Sequence, residues 1–267
     1  MVVREGGTEL HYETAGEGTN VVLLHAGVAD SRMWEPQWEA LAKEHRVVRY
    51  DMRGFGRSPI PPEPYSHAVD LVNLLKKLRI DRAVLIGASL GGRVALELAV
   101  SQPDLVTGLV LVGAVLPGHD WSGAFRAFAA EENDALEKGD IEAAVDVNLR
   151  TWVDGRRPRE EVDQKVRELI GVMQRRAFEL QLAAGDEAEE ELLEPRLESR
   201  LGTIQQPALV LVGEKDLSDI HKIAMRLRRE LPNAQHSVIA RAAHVASLER
   251  PIEFNELVLW FLGSSSL

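Results

Sequence analysis

The 267-residue chain contains no cysteine, which removes disulfide frameworks, thiol nucleophiles and thiolate metal sites. It also lacks any excess of positive charge. A formal net charge of −11, with no local basic patch to offset it, repels phosphate backbones and anionic lipids, so neither nucleic acid nor a membrane surface is an expected partner. No apolar run approaches the roughly 18 residues of a membrane-spanning helix, and the opening "MVVREGGTELHYE" lacks the apolar segment of a secretory signal. These absences point to a cytoplasmic protein. What is present suits a globular chain: 45% hydrophobic and 27% charged residues argue against disorder, and the length can bury a substantial core in one large α/β domain or two small ones. There are no internal repeats, and the closing "GSSSL" is expected to fray.

Short apolar runs alternate with amphipathic stretches: "NVVLLHAG", "MWEPQWEALAKE", "HRVVRYDMRG", "HAVDLVNLLKKLRI", "RAVLIGAS". Such alternation predicts βαβ units, hence a mostly parallel sheet flanked by helices, with ligands outside the carboxyl ends of the strands. After "VTGLVLVGAV" the pattern breaks at "LPGHD" and gives way to helical, Glu-, Ala- and Arg-rich sequence until strand grammar returns at "QQPALVLVGEKD". Residues 118–200 are therefore read as a helical cap inserted into a core made of 1–117 and 201–267. The acidic stretch "GDEAEEELLEPRLES" is read as a solvated helix face or loop, because no histidine accompanies its carboxylates to suggest a metal.

One stretch carries chemistry. "AVLIGASLGGRVALELA" sets Ser89 between Gly87 and Gly91, after a buried-strand pattern and before a helical one. In a G-x-S-x-G turn the missing side chains let strand and helix approach closely and expose the hydroxyl at a strained corner. A serine hydroxyl needs a neutral imidazole to take its proton as it attacks a carbonyl. Of the eight histidines, His11 and His236 lie in strand-like runs, His45 opens a strand, His67 starts a helix and His221 sits on one. His244 differs: it lies among small residues in "ARAAHVASLERP", after a strand, and is the candidate base. Asp216 ends "LVLVGEKD" just past an apolar strand and is the candidate partner of that imidazole. The order Ser, Asp, His differs from both unrelated serine-protease orders. An oxyanion needs two preorganised backbone donors; one is the amide of Leu90, and the other comes from the loop in "LLHAGVADSRMW". His25 is read as a brace of that loop.

The chain resembles the α/β-hydrolase superfamily along nearly its whole length, in "LLHAG", "DMRGFGRS", "GASLGG", "VGEKD" and "AAHVASLERP". The resemblance implies Ser89 as nucleophile, His244 as base, Asp216 as its orienting acid, and the amides of Gly27 and Leu90 as oxyanion donors. Ala26 stands where the family usually has glycine, which makes Val28 the alternative donor. Asp51, Arg53 and the glycines of "DMRGFGRS" are expected to brace loops beside the site, with Phe55 or Arg57 as the possible substrate contacts. Some members carry the acid after the strand preceding the cap, which makes Asp120 the competitor of Asp216.

The histidine loop is most similar to that of 3-oxoadipate enol-lactonases and related serine esterases. The implied reaction is cleavage of a small carboxylic ester or lactone through an acyl-enzyme, with no metal or organic cofactor. Family members that use a carboxylate nucleophile are disfavoured by Ser89. Carbon–carbon bond hydrolases typically carry a tryptophan shortly after the histidine, and Val245 to Leu248 contain none. Cofactor-free haloperoxidases or perhydrolases share the triad and stay open, as does a small-molecule binding protein on this fold. Trp121 and Trp152 are candidate pocket walls, with the helical core as the alternative; Arg126 and Arg150 are read as surface residues, with contact to a substrate carboxylate as the alternative for each.

Overall fold

The apolar runs become the strands of one sheet in the computed structural model, which describes residues 2–5, 8–185, 187–194 and 196–264. The last three residues of the closing tail lie outside them. The strands are β1 (Val2–Glu5), β2 (Thr8–Ala15), β3 (Thr19–Leu24), β4 (His45–Tyr50), β5 (Ala83–Ala88), β6 (Val106–Val112), β7 (Ala208–Gly213) and β8 (Ala234–Ile239), in the spatial order β1-β2-β4-β3-β5-β6-β7-β8. From β4 to β8 every pairing is parallel, whereas β1 pairs with β2, and β2 with β4, antiparallel. The antiparallel edge is an addition to the βαβ pattern read from the sequence.

Every residue of β5 and β7 is buried, as expected of strands covered on both faces. The cover comes from α1 (Glu35–Ala42), α2 (His67–Leu78), α3 (Leu90–Ser101), α8 (Ser218–Glu230) and α10 (Pro251–Ser264), numbered with the helices that follow. Between β6 and β7 the chain forms α4 (Gly123–Glu137), α5 (Ile141–Asn148), a π-helical turn at Leu149–Asp154, α6 (Gln164–Ala184) and the short α7 (Leu197–Arg200). Side-chain caps start each long helix here: Ser122 Oγ accepts from the Phe125 amide, Asp140 Oδ1 from Ala143 and Asp163 Oδ1 from Lys165. A further short helix, α9 (Ala246–Glu249), follows His244.

One expectation is corrected. The acidic stretch is not simply solvated: Glu190 accepts two hydrogen bonds, at 2.6 and 2.8 Å, from the buried Arg93, and the Leu193 amide donates to Glu97. Arg126 and Arg150 do lie at the surface, paired with surface acids, Asp120 for the first, Glu131 and Asp146 for the second. Among the described residues no helix is long and apolar enough to cross a membrane, and no cluster of His, Asp and Glu could hold a metal ion.

The sheet grows in both directions from β3, because β4 lies on one side of it and β5 on the other. A crevice opens where strand order reverses in this way, at the carboxyl ends.

Candidate active site

Ser89 sits at that crevice. It links β5 to α3 with φ 50° and ψ −110°, a conformation that costs a non-glycine residue on the order of 1–3 kcal/mol and so needs support from its surroundings. The support is backbone. The Ser89 amide donates to Val112 O at 2.9 Å, its carbonyl accepts from Arg93 and Val115, and the Gly91 amide donates to His25 O at 3.1 Å. A Cβ on Gly87 would lie 2.3 Å from Gly91 O, and one on Gly91 would lie 2.4 Å from Leu24 O. Glycine at both positions is thus a packing requirement: strand, turn and helix are closer than any side chain permits.

His244 and Asp216 come together from the loops after β8 and β7. His244 Nδ1–H donates to Asp216 Oδ2 at 2.8 Å, and both side chains are almost fully buried. Asp216 Oδ1 accepts from the Leu217 amide at 2.8 Å, which fixes the carboxylate plane. Gly113, just past β6, has φ 53°, and a Cβ there would lie 3.1 Å from His244 Nδ1, so the pair rests directly on bare backbone. Asp120, the competing acid, is fully exposed and faces Arg126 instead of the imidazole. The geometry pairs His244 with Asp216.

Ser89 and His244 line the same cavity of about 390 Å³, together with Gly27, Val28 and Phe55 from the sheet side. Gly27 lies beside Leu90, the first residue of α3: a Cβ on Gly27 would be 3.7 Å from Leu90 Cβ. His25 turns away from the cavity. Its Nε2 accepts from the Met52 amide at 2.9 Å, which leaves the proton on Nδ1 to be donated to Ala26 O, and burial lowers its pKa. It is a neutral brace.

The "DMRGFGRS" segment braces as expected. Asp51 Oδ1 accepts from the Ser31 amide and Oδ2 from the Arg57 amide, each at 2.9 Å, while Arg53 grips the buried Asp70 with two hydrogen bonds. Phe55 reaches the cavity; Arg57 lies in a separate polar cleft with His11 and Arg176.

Residues 19–251 match the family described as alpha/beta hydrolase fold. The chain belongs to the α/β-hydrolase family. This α/β hydrolase is 31% identical to RutD of Variovorax paradoxus, named as a candidate carbamate hydrolase, over 96% of this chain and 97% of the relative. It is also 31% identical to the pimeloyl-[acyl-carrier protein] methyl ester esterase of Pectobacterium atrosepticum, over 94% of this chain and 98% of that one. Among solved structures, the enol-lactonase from Burkholderia xenovorans LB400 superimposes with a TM-score of 0.80 at 26% identity, covering 98% of this chain and 100% of the other. Est816, described as an N-acyl homoserine lactone degrading enzyme, gives 0.78 at 29% identity, with 98% and 100% coverage.

Trp152, a candidate pocket wall in the sequence, lines the cavity, but its contact with the imidazole and the roles of Arg157 and Gly213 escaped the sequence reading. Trp152, on the π-helical turn, lies tilted against His244 with ring centroids 4.4 Å apart, and its carbonyl accepts from the His244 amide at 3.1 Å. Arg157 reaches across to the histidine loop, pairing with the buried Glu249 and donating to Arg241 O. Glu249 in turn accepts from the Ala243 amide at 2.8 Å; burial raises its pKa, against the pull of Arg157. No local signal marks Arg157, because its partners are about ninety residues away. Gly213 was legible as the end of an apolar strand, but not its job: a Cβ there would lie 1.9 Å from Ala243 O.

Proposed function

We propose that this α/β hydrolase cleaves a small carboxylic ester or lactone through an acyl-enzyme on Ser89. The observation that carries the reading is the convergence on one cavity of a serine in a strained elbow and a histidine bonded through Nδ1 to a buried carboxylate. That Nδ1 bond puts the imidazole in the tautomer whose Nε2 is the free base. His244 takes the Ser89 proton as Oγ attacks the carbonyl. The amides of Gly27 and Leu90 receive the oxyanion, and imidazolium His244 protonates the departing alcohol. Water, deprotonated by the same nitrogen, then releases the acid and restores the serine. Asp216 holds the ring orientation and stabilises its transient positive charge.

Residues 118–200 act as the cap in this reading: Trp121, Phe125, Phe128, Trp152 and Phe178 roof the cavity and shield the reacting centre from bulk solvent. The esterase and lactonase named among the relatives and neighbours support acyl transfer as the reaction class. The test is Ser89→Ala against wild type, with a fluorophosphonate probe. Loss of nearly all ester and lactone hydrolysis, with covalent labelling confined to Ser89, is expected; labelling elsewhere or undiminished turnover overturns the assignment.

A further inference from the structure

The cavity lining has two chemically distinct parts. Aromatic rings close most of the roof: Trp121 stacks on Phe125 with centroids 3.8 Å apart, and Phe128 stands edge-on to Trp152 at 5.3 Å. Among these rings lies a polar group. Glu132, Asn148 and Gln174, from α4, α5 and α6, all line the cavity. Asn148 Nδ2 donates to Glu132 Oε1 and to Ala144 O, so its hydrogens are already engaged. Gln174 is 4% exposed, and its Oε1 is buried without a hydrogen-bond partner among the described residues. An unpartnered buried carbonyl is costly and needs a donor from somewhere.

The charge of this lining is equally specific. The cavity's described lining contains one carboxyl group, Glu132, and no lysine or arginine. The nearby cations are committed elsewhere: Arg150 to Glu131 and Asp146, Arg167 to Asp154 and Asp146, Arg175 to Glu142. A ligand carboxylate would meet aromatic walls and another carboxyl with no counter-ion, whereas an N–H or O–H group would meet acceptors.

We propose that Glu132, Asn148 and Gln174 form a substrate-selecting subsite that accepts an uncharged hydrogen-bond donor, of the carboxamide type, on the acyl chain and rejects a carboxylate there. The inference rests on reading this cavity as the place where Ser89 meets its ester. It narrows the substrate class: acidic lactones and half-esters of dicarboxylic acids are excluded, and neutral amide- or hydroxyl-bearing esters are favoured. Burial raises the pKa of Glu132, against the hydrogen bond from Asn148, so the lining disfavours charge: a second carboxylate would lose its hydration and gain no counter-ion.

Methyl succinamate and monomethyl succinate differ only in that terminal group, and methyl valerate serves as the hydrocarbon reference. Rates of acid release, each divided by the ester's rate with hydroxide, remove intrinsic reactivity from the comparison. The expected kcat/KM for the amide exceeds that for the acid at least thirtyfold. Glu132→Gln is expected to shrink that ratio about tenfold, and Gln174→Met to lower the amide's advantage over valerate about tenfold. A second readout needs no turnover: in Ser89→Ala, succinamide should quench the fluorescence of Trp121 and Trp152 at concentrations where succinate does not. Comparable rates for acid and amide, or equal quenching by both, overturn the subsite. Hydrolysis that survives Ser89→Ala overturns the proposed function instead, and the quenching experiment still decides the subsite.

Discussion

The floor and the roof of the cavity are built on different principles. Beneath the substrate space, positions are set by backbone against backbone: Gly87, Gly91 and Gly213 exist because a carbonyl oxygen already occupies the volume a methyl would need. Above it, positions are set by side chains packed between helices, half-buried on α4 and buried on α5 and α6, whose outward faces are open to solvent. At Gly123, the first residue of α4, an added Cβ meets nothing within 4 Å. A floor of this kind has no slack, so an error is transmitted directly to the reacting atoms. A roof of rings can shift, so an error there is absorbed as a change in fit. Chemistry should therefore fail steeply with changes below and gradually with changes above.

The steepest contrast is between two aspartates. Asp216→Asn keeps the shape but removes the charge and disturbs the tautomer of His244; the corresponding change in a serine protease costs about four orders of magnitude. A loss of at least about a hundredfold in kcat is expected here. Asp120→Asn, at the exposed entry to the roof, is expected to cost less than about tenfold. Initial rates on one ester, with folding checked by thermal melting, decide the matter. The reverse ranking would move the orienting acid to Asp120.

Glycines give the next contrast, in stability. Gly213→Ala drives a methyl to within 1.9 Å of Ala243 O and must displace the loop that carries His244. Overpacking against backbone of this kind is expected to cost about 3 kcal/mol or more in urea unfolding. Gly123→Ala, in open space and within a helix, is expected to be neutral or to add up to about 1 kcal/mol. Equal effects at the two glycines would abolish the distinction between floor and roof.

The same difference explains what could be read from the sequence. Ser89, Asp216 and His244 were legible because each stands just past the end of a strand, a local pattern that β5, β7 and β8 reproduce. The braces Asp51 and Arg53 were legible as part of one motif, although their partners were not. The roof was much less so. Trp121 and Trp152 could be named as candidates, but the π-helical turn that lays Trp152 against His244 leaves no mark in helical periodicity. Glu132, Asn148 and Gln174 meet only because three helices pack together, and Arg157 acts on a loop far along the chain. Long-range packing has no short-range signature. The antiparallel β1–β2 edge fell outside a reading built on parallel units.

Acid should affect the floor through its buried imidazoles. His67 is fully buried beneath it, beside Phe55 and Tyr65, and burial together with Arg93 pushes its pKa well below 6.5. The sign follows from the native state staying neutral: as pH falls below 6.5, the unfolded chain binds a proton that the folded chain refuses, and stability drops. The slope is about 1.4 kcal/mol per pH unit for each such group. His67→Gln removes one of them, so between pH 6.5 and 5 wild type should lose more stability than the variant in urea unfolding. Parallel curves would mean that His67 is protonated without opening the floor.

The smallest effect is expected where the roof is purely apolar. Phe128 contacts Phe125 at 5.6 Å and Trp152 at 5.3 Å, so Phe128→Leu removes two ring contacts and part of a wall while leaving the backbone of α4 in place. Such contacts are worth about 0.5–1.5 kcal/mol, and neighbouring rings can close part of the gap. KM for the ester that wild type turns over fastest is expected to rise about threefold, with kcat within about twofold, because the lost contact serves ground state and transition state alike. Trp152 is the reason this outcome is informative. It touches both Phe128 and His244, so it is a direct path by which a substitution at Phe128 could reach the imidazole. A tenfold fall in kcat with unchanged KM would show that Trp152 transmits the disturbance, and floor and roof would then be one machine.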